Sequence, residues 1–401
     1  MNRKSIITTA LVAFASTIVN AQTQLKSNAH IGFVYPLSTN GVKAPEYANL
    51  VSLHALAGVS GAELGFCGAG VASIVRDSVN GFIASGILNV VGGNTDGCQA
   101  AGVANISGKN VKGAQLAGVL NMADTVDGLQ AAGFVNIATG HVNGAQVAGF
   151  ANIADSVNTQ IGGFVNITGD ANTQVGGFLN IAEHVKGAQV AGFVNIAEQV
   201  DGAQIAGFIN IAGKVKGLQL AGFVNIADSS DCPIGLINII GNGEVALGVS
   251  VNEIGTTLAT FRSGGRTLYG ILGVGGNFVD GYSAIAFQAG MGMHVPVYRS
   301  FRFNMEATVT SLSNRWYHTD IRSGFKVMPS LRFGNVEVFA GPSFSYTTSA
   351  DRNGLGRVGY SVWSRENYHY AHDLSIGVEG GVQFHLATKK LAEKIISKKI
   401  Q

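Results

Sequence analysis

The sequence predicts an all-β chain: a repeat array, then an antiparallel β-barrel of the outer-membrane type. The array is a β-solenoid of about 15-residue units or, alternatively, a barrel meander. Three observations carry this. A short motif recurs with an Asn at positions 89, 105, 121, 136, 152, 166, 180, 195, 210, 225 and 238. Within each copy the residues alternate with period two, which is the signature of a strand. After about position 242 the motif ends, and longer alternating segments follow with turn signals between them.

Composition sets the outer bounds. The chain has 401 residues, 56 of them glycine, with 46% hydrophobic and only 12% charged residues. That charge is too low for a disordered chain, and glycine is too scarce for collagen. A formal net charge of +2 argues against a nucleic-acid binder.

Residues 1–21 read as a signal peptide. Arg3 and Lys4 form a basic start, an uncharged stretch runs from Ile6 to Val19, and Val19-Asn20-Ala21 offers a cleavage site before Gln22. No later run suits a membrane-spanning helix. The mature chain is therefore expected to be exported, and any insertion must be through a β-barrel. Residues 22–72 read as a β segment leading into the array. Cys67, Cys98 and Cys232 are too widely spaced for a zinc site and odd in number, so buried thiols are expected.

The array covers 73–242. Its units are clearest in GAQVAGFVNIAEQVD (187–201), GAQIAGFINIAGKVK (202–216) and GLQLAGFVNIADSSD (217–231). Around Asn195 one face carries Val185, Gln189, Ala191, Phe193, Asn195 and Ala197. The other carries Ala188, Val190, Gly192, Val194 and Ile196, is wholly apolar, and is expected to be buried in protein or in lipid. In a solenoid each unit is one coil, like residues stack about 4.8 Å apart, and Gln and Asn form amide ladders. The mid-unit glycine is then a corner. In a meander the turns would fall at pairs such as Glu183-His184 and Glu198-Gln199, which are poor tight-turn sequences. One repeated unit would also have to suit both ends of a barrel, so the solenoid is favoured. Cys67 and Cys232 lie six positions before Ser73 and Asn238, the spacing of Gln189 from Asn195. A linear solenoid expects both in the Gln column, too far apart to bridge.

Residues 243–387 read as the barrel, with strands near 245–253, 256–262, 267–278, 284–297, 301–312, 322–333, 335–347 and 373–386. In FRFNMEATVT, Phe301, Phe303, Met305, Ala307 and Val309 oppose Arg302, Asn304, Glu306, Thr308 and Thr310. Apolar-out, polar-in segments of this length suit a small transmembrane barrel. A soluble barrel or sandwich is the alternative. The stretch 348–372, with Tyr360, Trp363, Tyr368 and Tyr370, reads as an extracellular loop. Residues 388–401, rich in lysine, read as a basic helical tail facing anionic lipid, a periplasmic partner or only solvent.

The G-x-Q-x-x-G-x-x-N-I units over about 80–240, followed by GVSVNEIGTTLATFRSGGRTLYG, resemble the bacterial surface-repeat proteins of Gram-negative cells. The resemblance implies a cell-surface or outer-membrane location and supplies no activity.

Chemistry is sparse. His369 and His372 are the only close histidines, and no third ligand adjoins them. Gly273-Val274-Gly275-Gly276 lacks the Lys-Ser/Thr of a phosphate loop. No catalytic, cofactor or metal residues are assigned, and the chain is expected not to be an enzyme. The candidate ladder or ligand-contacting positions are Gln189, Gln204, Gln219, Asn195, Asn210, Asn225, Phe193, Phe208 and Phe223. The expected role is structural, adhesive or binding, with outer-membrane lipid and a surface, host or cell-envelope ligand as partners and no nucleic acid. The alternative is a pore or transport barrel for small solutes, and a hydrolase is a distant third.

Overall fold

The computed structural model describes residues 24–277, 284–314, 318–349, 359–366 and 370–386. The signal peptide, Tyr368, His369 and the basic tail lie outside them. The chain is all-β, with a parallel β-solenoid of about 13 turns and a closed eight-stranded antiparallel barrel. It divides into two units at Ile196/Ala197.

The first unit is solenoid. Each coil has a longer strand, as in Val111–Ala117 and Val126–Ala132, and a shorter one, as in Leu120–Ala123 and Val135–Ala138. Coils pair in parallel and in register, Gln99 to Gln115 to Gln130 and Asn105 to Asn121 to Asn136. A meander would pair neighbouring repeats antiparallel, so the meander alternative is excluded.

Two glycine columns shape the coil. At the corner, a Cβ on Gly133 would lie 2.2 Å from the carbonyl oxygen of Gly118. Only glycine lets the coils approach this closely. The second column precedes the Gln, as at Gly128 with φ +139. Units with Asn158-Thr159-Gln160 and Asn172-Thr173-Gln174 omit this glycine, and the register shifts there. The 14-residue steps of the repeat are therefore deletions of one bulge residue.

The coil interior reverses the expectation for the two faces. Gln189 and Asn195 are fully buried, with Val185, Ala191 and Ala197 beside them. The wholly apolar face, Val190, Val194 and Ile196, is instead half-buried on the outside. Phe193 leaves the inward face because the corner turns it out, to 40% exposure. The amides tolerate burial because they bond one another along the stack, so the polar set costs little inside. The narrow interior is completed by Val111, Val126, Val142 and Val157 against Ala123, Ala138 and Ala154.

The second unit begins with coils that end in the parallel strands Ile209–Ala221, Val224–Ile234 and Ile237–Ile240. Cys232 does not take the Gln column: Pro233 pairs with Gln219, and Cys232 pairs with Leu218. One residue is missing at this coil's corner, so counting back from Asn238 overshoots by one. Cys67 does take that column, opposite Ile83 and so in line with Gln99. All three cysteines are free thiols.

The barrel strands are Glu244–Asn252, Thr256–Gly264, Leu268–Asn277, Ala284–Tyr298, Phe301–Asn314, His318–Phe333, Val336–Ser349 and Ala371–Leu386. The first closes on the last, Val245 opposite Leu386 and Asn252 opposite Glu379. The stretch 348–372 is not loop throughout. Its first residues extend one barrel strand to Ser349, and Tyr360–Glu366 forms a further strand beside the upper part of Ala371–Leu386.

Candidate functional site

Six of the nine candidate ladder or ligand-contacting positions are Gln or Asn of the buried amide columns. In the first unit Gln115 Nε2 donates to Gln99 Oε1 at 2.8 Å, and the chain of bonds continues through Gln130, Gln146, Gln160 and Gln174 to Gln189. Asn89 Nδ2 donates to Asn105 Oδ1 at 2.8 Å, and this ladder runs on to Asn195. The two run in opposite senses: glutamines donate toward the N-terminus, asparagines toward the C-terminus. Their amide dipoles therefore oppose one another. The second amide hydrogens reach backbone carbonyls, as from Asn136 to Val147 O at 2.8 Å and from Gln146 to Ile153 O at 3.2 Å.

In the second unit Gln219 donates to Gln204 at 3.1 Å, and Asn210 to Asn225 at 3.0 Å. Asn225 donates to Asn238, whose own amide bonds the Ser263 carbonyl of the barrel at 3.0 Å. Polarity dictates where acceptors go unused. Asn89 Oδ1 and Gln219 Oε1 have no donor among the described residues. The first begins the Asn ladder, and the second ends the Gln ladder against Pro233. Gln189, Gln204, Gln219, Asn195, Asn210 and Asn225 thus all face the interior.

The phenylalanines face out. Phe134, Phe150, Phe164, Phe178 and Phe193 stack with ring centroids 4.8–5.1 Å apart, and Phe208 stacks on Phe223 at 5.1 Å. A shallow groove of about 940 Å³ also runs along the first unit past Ala84, Ala100, Leu116, Ala131 and Val147, the column that directly follows the Gln position. The array's accessible surface thus combines these aromatic and aliphatic columns with a polar edge, where Asn172, Asn158 and Asn143 bond in turn toward Asp127.

A polar cluster at the start of the array went unread in the sequence. His30, Ser52 and Cys67 occupy the Gln column of the first coils. Asn49 and Glu63 occupy the valine column upstream of Val79. Ser52 Oγ donates to Glu63 at 2.8 Å, and His30 Nε2 meets Ser38 Oγ at 2.9 Å. The His30 and His54 rings meet edge to face at 4.5 Å. Burial, and then the neighbouring His54, lower the His30 pKa to about 4. Burial also lowers His54, and it raises Glu63 against hydrogen bonds from Ser60, Ser52 and Asn49. Burial and the charge of Glu63 push the Cys67 thiol up to about 12. The visible signal was the replacement of Gln and Val by His, Ser and Glu in register with the repeat.

The barrel lumen holds the other unread constellation. Arg262 Nε meets Glu306 Oε1 at 2.8 Å, and Tyr269 Oη donates to the same oxygen at 3.0 Å. Lys326 pairs with Glu379 at 2.5 Å, and Arg322 pairs with Glu253. Near the end where the chain enters, Arg302 bridges Glu337 at 2.5 Å and Glu244 at 2.9 Å, while His385 reaches Glu337 at 2.7 Å. Two lumen cavities measure about 10 Å³ each, room for no more than about one water. The outward face carries Val249, Ile285, Phe287, Val309, Phe325, Phe344 and Val378, all exposed. These inward charges were visible as the polar face of each strand; their pairing was not.

Tyr360, Trp363 and Tyr370 are exposed. His372 Nδ1 lies 3.0 Å from Tyr346 Oη. Among the described residues no group of three His, Cys, Asp or Glu side chains is placed to hold a metal. Comparison with protein-family models, curated proteins and solved structures finds no match to the chain.

Proposed function

We propose that this is an exported outer-membrane protein in which the barrel is a non-conducting anchor and the repeat array has a structural or binding role. One observation carries the reading. A closed barrel with apolar side chains outward and ion pairs across its interior suits hydrocarbon outside and a lumen occupied by side chains within. Eight strands enclose just enough space for side chains to fill. Soluble barrels place their apolar side chains on the inside, so the inverted arrangement favours a membrane over a soluble sandwich.

The array contributes its exterior. With the buried amides engaged in ladders, the phenylalanine column and the half-buried Val and Ile rows are the apolar surface open to a partner, beside an exposed polar edge. Contiguous exposed apolar columns of this kind are a feature of interaction sites. The sequence resemblance to surface-repeat proteins and the signal-peptide-like start agree with this role. Planar-bilayer recording tests the anchor: purified protein should insert without steady conductance. A reproducible open level would replace this reading with the solute pore.

A further inference from the structure

The barrel has two unlike rims. At one, connections are short: 265–267, 299–300 and 334–335. At the other, the strands ending at Asn252, Asn277, Asn314 and Ser349 are followed by those beginning at Thr256, Ala284, His318 and Ala371, after three, six, three and 21 residues, and the strand Tyr360–Glu366 falls within the last interval. The chain enters the barrel at Glu244 and leaves after Leu386, residues that share the short-turn rim because Val245 pairs with Leu386. The last coils meet the barrel at this rim too. Asn238 bonds Ser263, next to the connection at 265–267, and a Cβ on Gly270 would lie 2.3 Å from the Gly235 carbonyl oxygen.

Outer-membrane barrels with an even number of strands keep short turns on the periplasmic side and long loops outside. We propose that the repeat array stands in the periplasm, and that the cell exterior is met instead by the opposite rim with its exposed Tyr360, Trp363 and Tyr370. The inference rests on the outer-membrane reading and sharpens it. Whatever the array binds is reached from the inner side of the outer membrane, so the repeats are not a display to a host surface.

The cysteines make the test simple. Cys67 is buried, and Cys98→Ala with Cys232→Ala removes the half-buried thiols. Into this background go Lys186→Cys, an exposed position of the array strand His184–Ala191, or Ser364→Cys on the rim strand. Whole cells are treated with a polyethylene-glycol maleimide too large to cross the outer membrane, before and after EDTA permeabilisation. Ser364→Cys should label fully in intact cells. Lys186→Cys should go from background to full labelling only on permeabilisation. Labelling of Lys186→Cys in intact cells, or protection of Ser364→Cys there, overturns the proposal. Carbonate extraction of the same membranes reads the underlying assumption separately. Release of the protein would sink the outer-membrane reading, whereas retention with the wrong labelling pattern sinks only the sidedness.

Discussion

Gln146→Leu and Gln219→Leu should differ sharply, although both replace one buried ladder amide by an isosteric apolar group. Gln146 donates to Gln130 Oε1 and to the Ile153 carbonyl and accepts from Gln160 Nε2. Leucine strips all three. At about 1.5 kcal/mol for each buried group left short of a bond, the loss is about 4.5 kcal/mol. Burying leucine returns about 2 kcal/mol, for a net cost of about 2.5 kcal/mol. Gln219 donates to Gln204 Oε1 at 3.1 Å and, weakly, to the Ile226 carbonyl at 3.4 Å, but its own oxygen has no donor. Leucine there strips two partners and removes one orphan, so the net change is about zero. Hydrogen exchange of the flanking coil amides, followed by mass spectrometry on the full chain in detergent, reads the difference locally. About 2.5 kcal/mol corresponds to roughly 70-fold faster exchange around Gln146, with little change around Gln219. Equal acceleration at both sites would show that ladder polarity does not decide which amides matter.

Four further outcomes follow from the geometry. His30 is held neutral by burial, so the unfolded chain takes up its proton first. The stability this gives the N-terminal coils is fully present above about pH 6.5 and is lost as pH falls toward 4, on the order of 2 kcal/mol, with Glu63 shifted the opposite way and offsetting part of it. Exchange at Tyr47–Ser60 measured across that window checks it, and flat protection contradicts it. Among the thiols, Cys67 should resist maleimide at pH 7 in the folded chain while Cys98 and Cys232 react, as mass mapping would show. Gly133→Ala, whose Cβ must displace a backbone carbonyl, should cost about 1–3 kcal/mol by thermal melting, whereas Gly334→Ala, with φ +64 and open space, should cost about 1 kcal/mol. Glu306→Ala strands buried Arg262 and should weaken the barrel by about 3–5 kcal/mol, seen as a lower temperature for the heat-modified gel shift.

The repeat exposed the array because its residues are read in a fixed frame. Asn89 to Asn238 mark the shorter-strand column, and parallel stacking follows from repetition in one direction. What the frame could not give is which face turns inward. Period-two alternation assigns Gln189 and Val190 to opposite sides, but hydrophobicity then favours burying Val190. The outcome depends on bonds between Gln189 and Gln174, which exist only once coils are stacked. Phe193 misled for a related reason: alternation carries through a straight strand but not around the corner at Gly192. The barrel segments were legible because several alternate without a corner and turn signals separate them. The lumen pairs were not, since Arg262 and Glu306 are 44 positions apart and meet only through closure.

The two ends of the array explain why a chain built from stackable coils need not grow into a fibre. An open solenoid end offers a row of unpaired backbone groups and, here, unfinished amide ladders for another copy to continue. At the C-terminal end Pro233 breaks the Gln column, and the Asn column terminates on Ser263 of the barrel. At the N-terminal end Ser73 stands in place of Asn before Asn89, and the Gln column gives way to Ile83, Cys67, Ser52 and His30. The polar ones among them bond to neighbouring side chains: Ser52 to Glu63, His30 to Ser38, and Ser73 accepts from Ser85 at 3.0 Å. The first strand, Leu25–Val34, is further engaged by the antiparallel segment Leu37–Ser38. Each end is thus chemically unlike the repeat, so a second copy meets neither a matching ladder nor a matching register. Repetition supplies the interior of the array, and its departures from repetition fix the length.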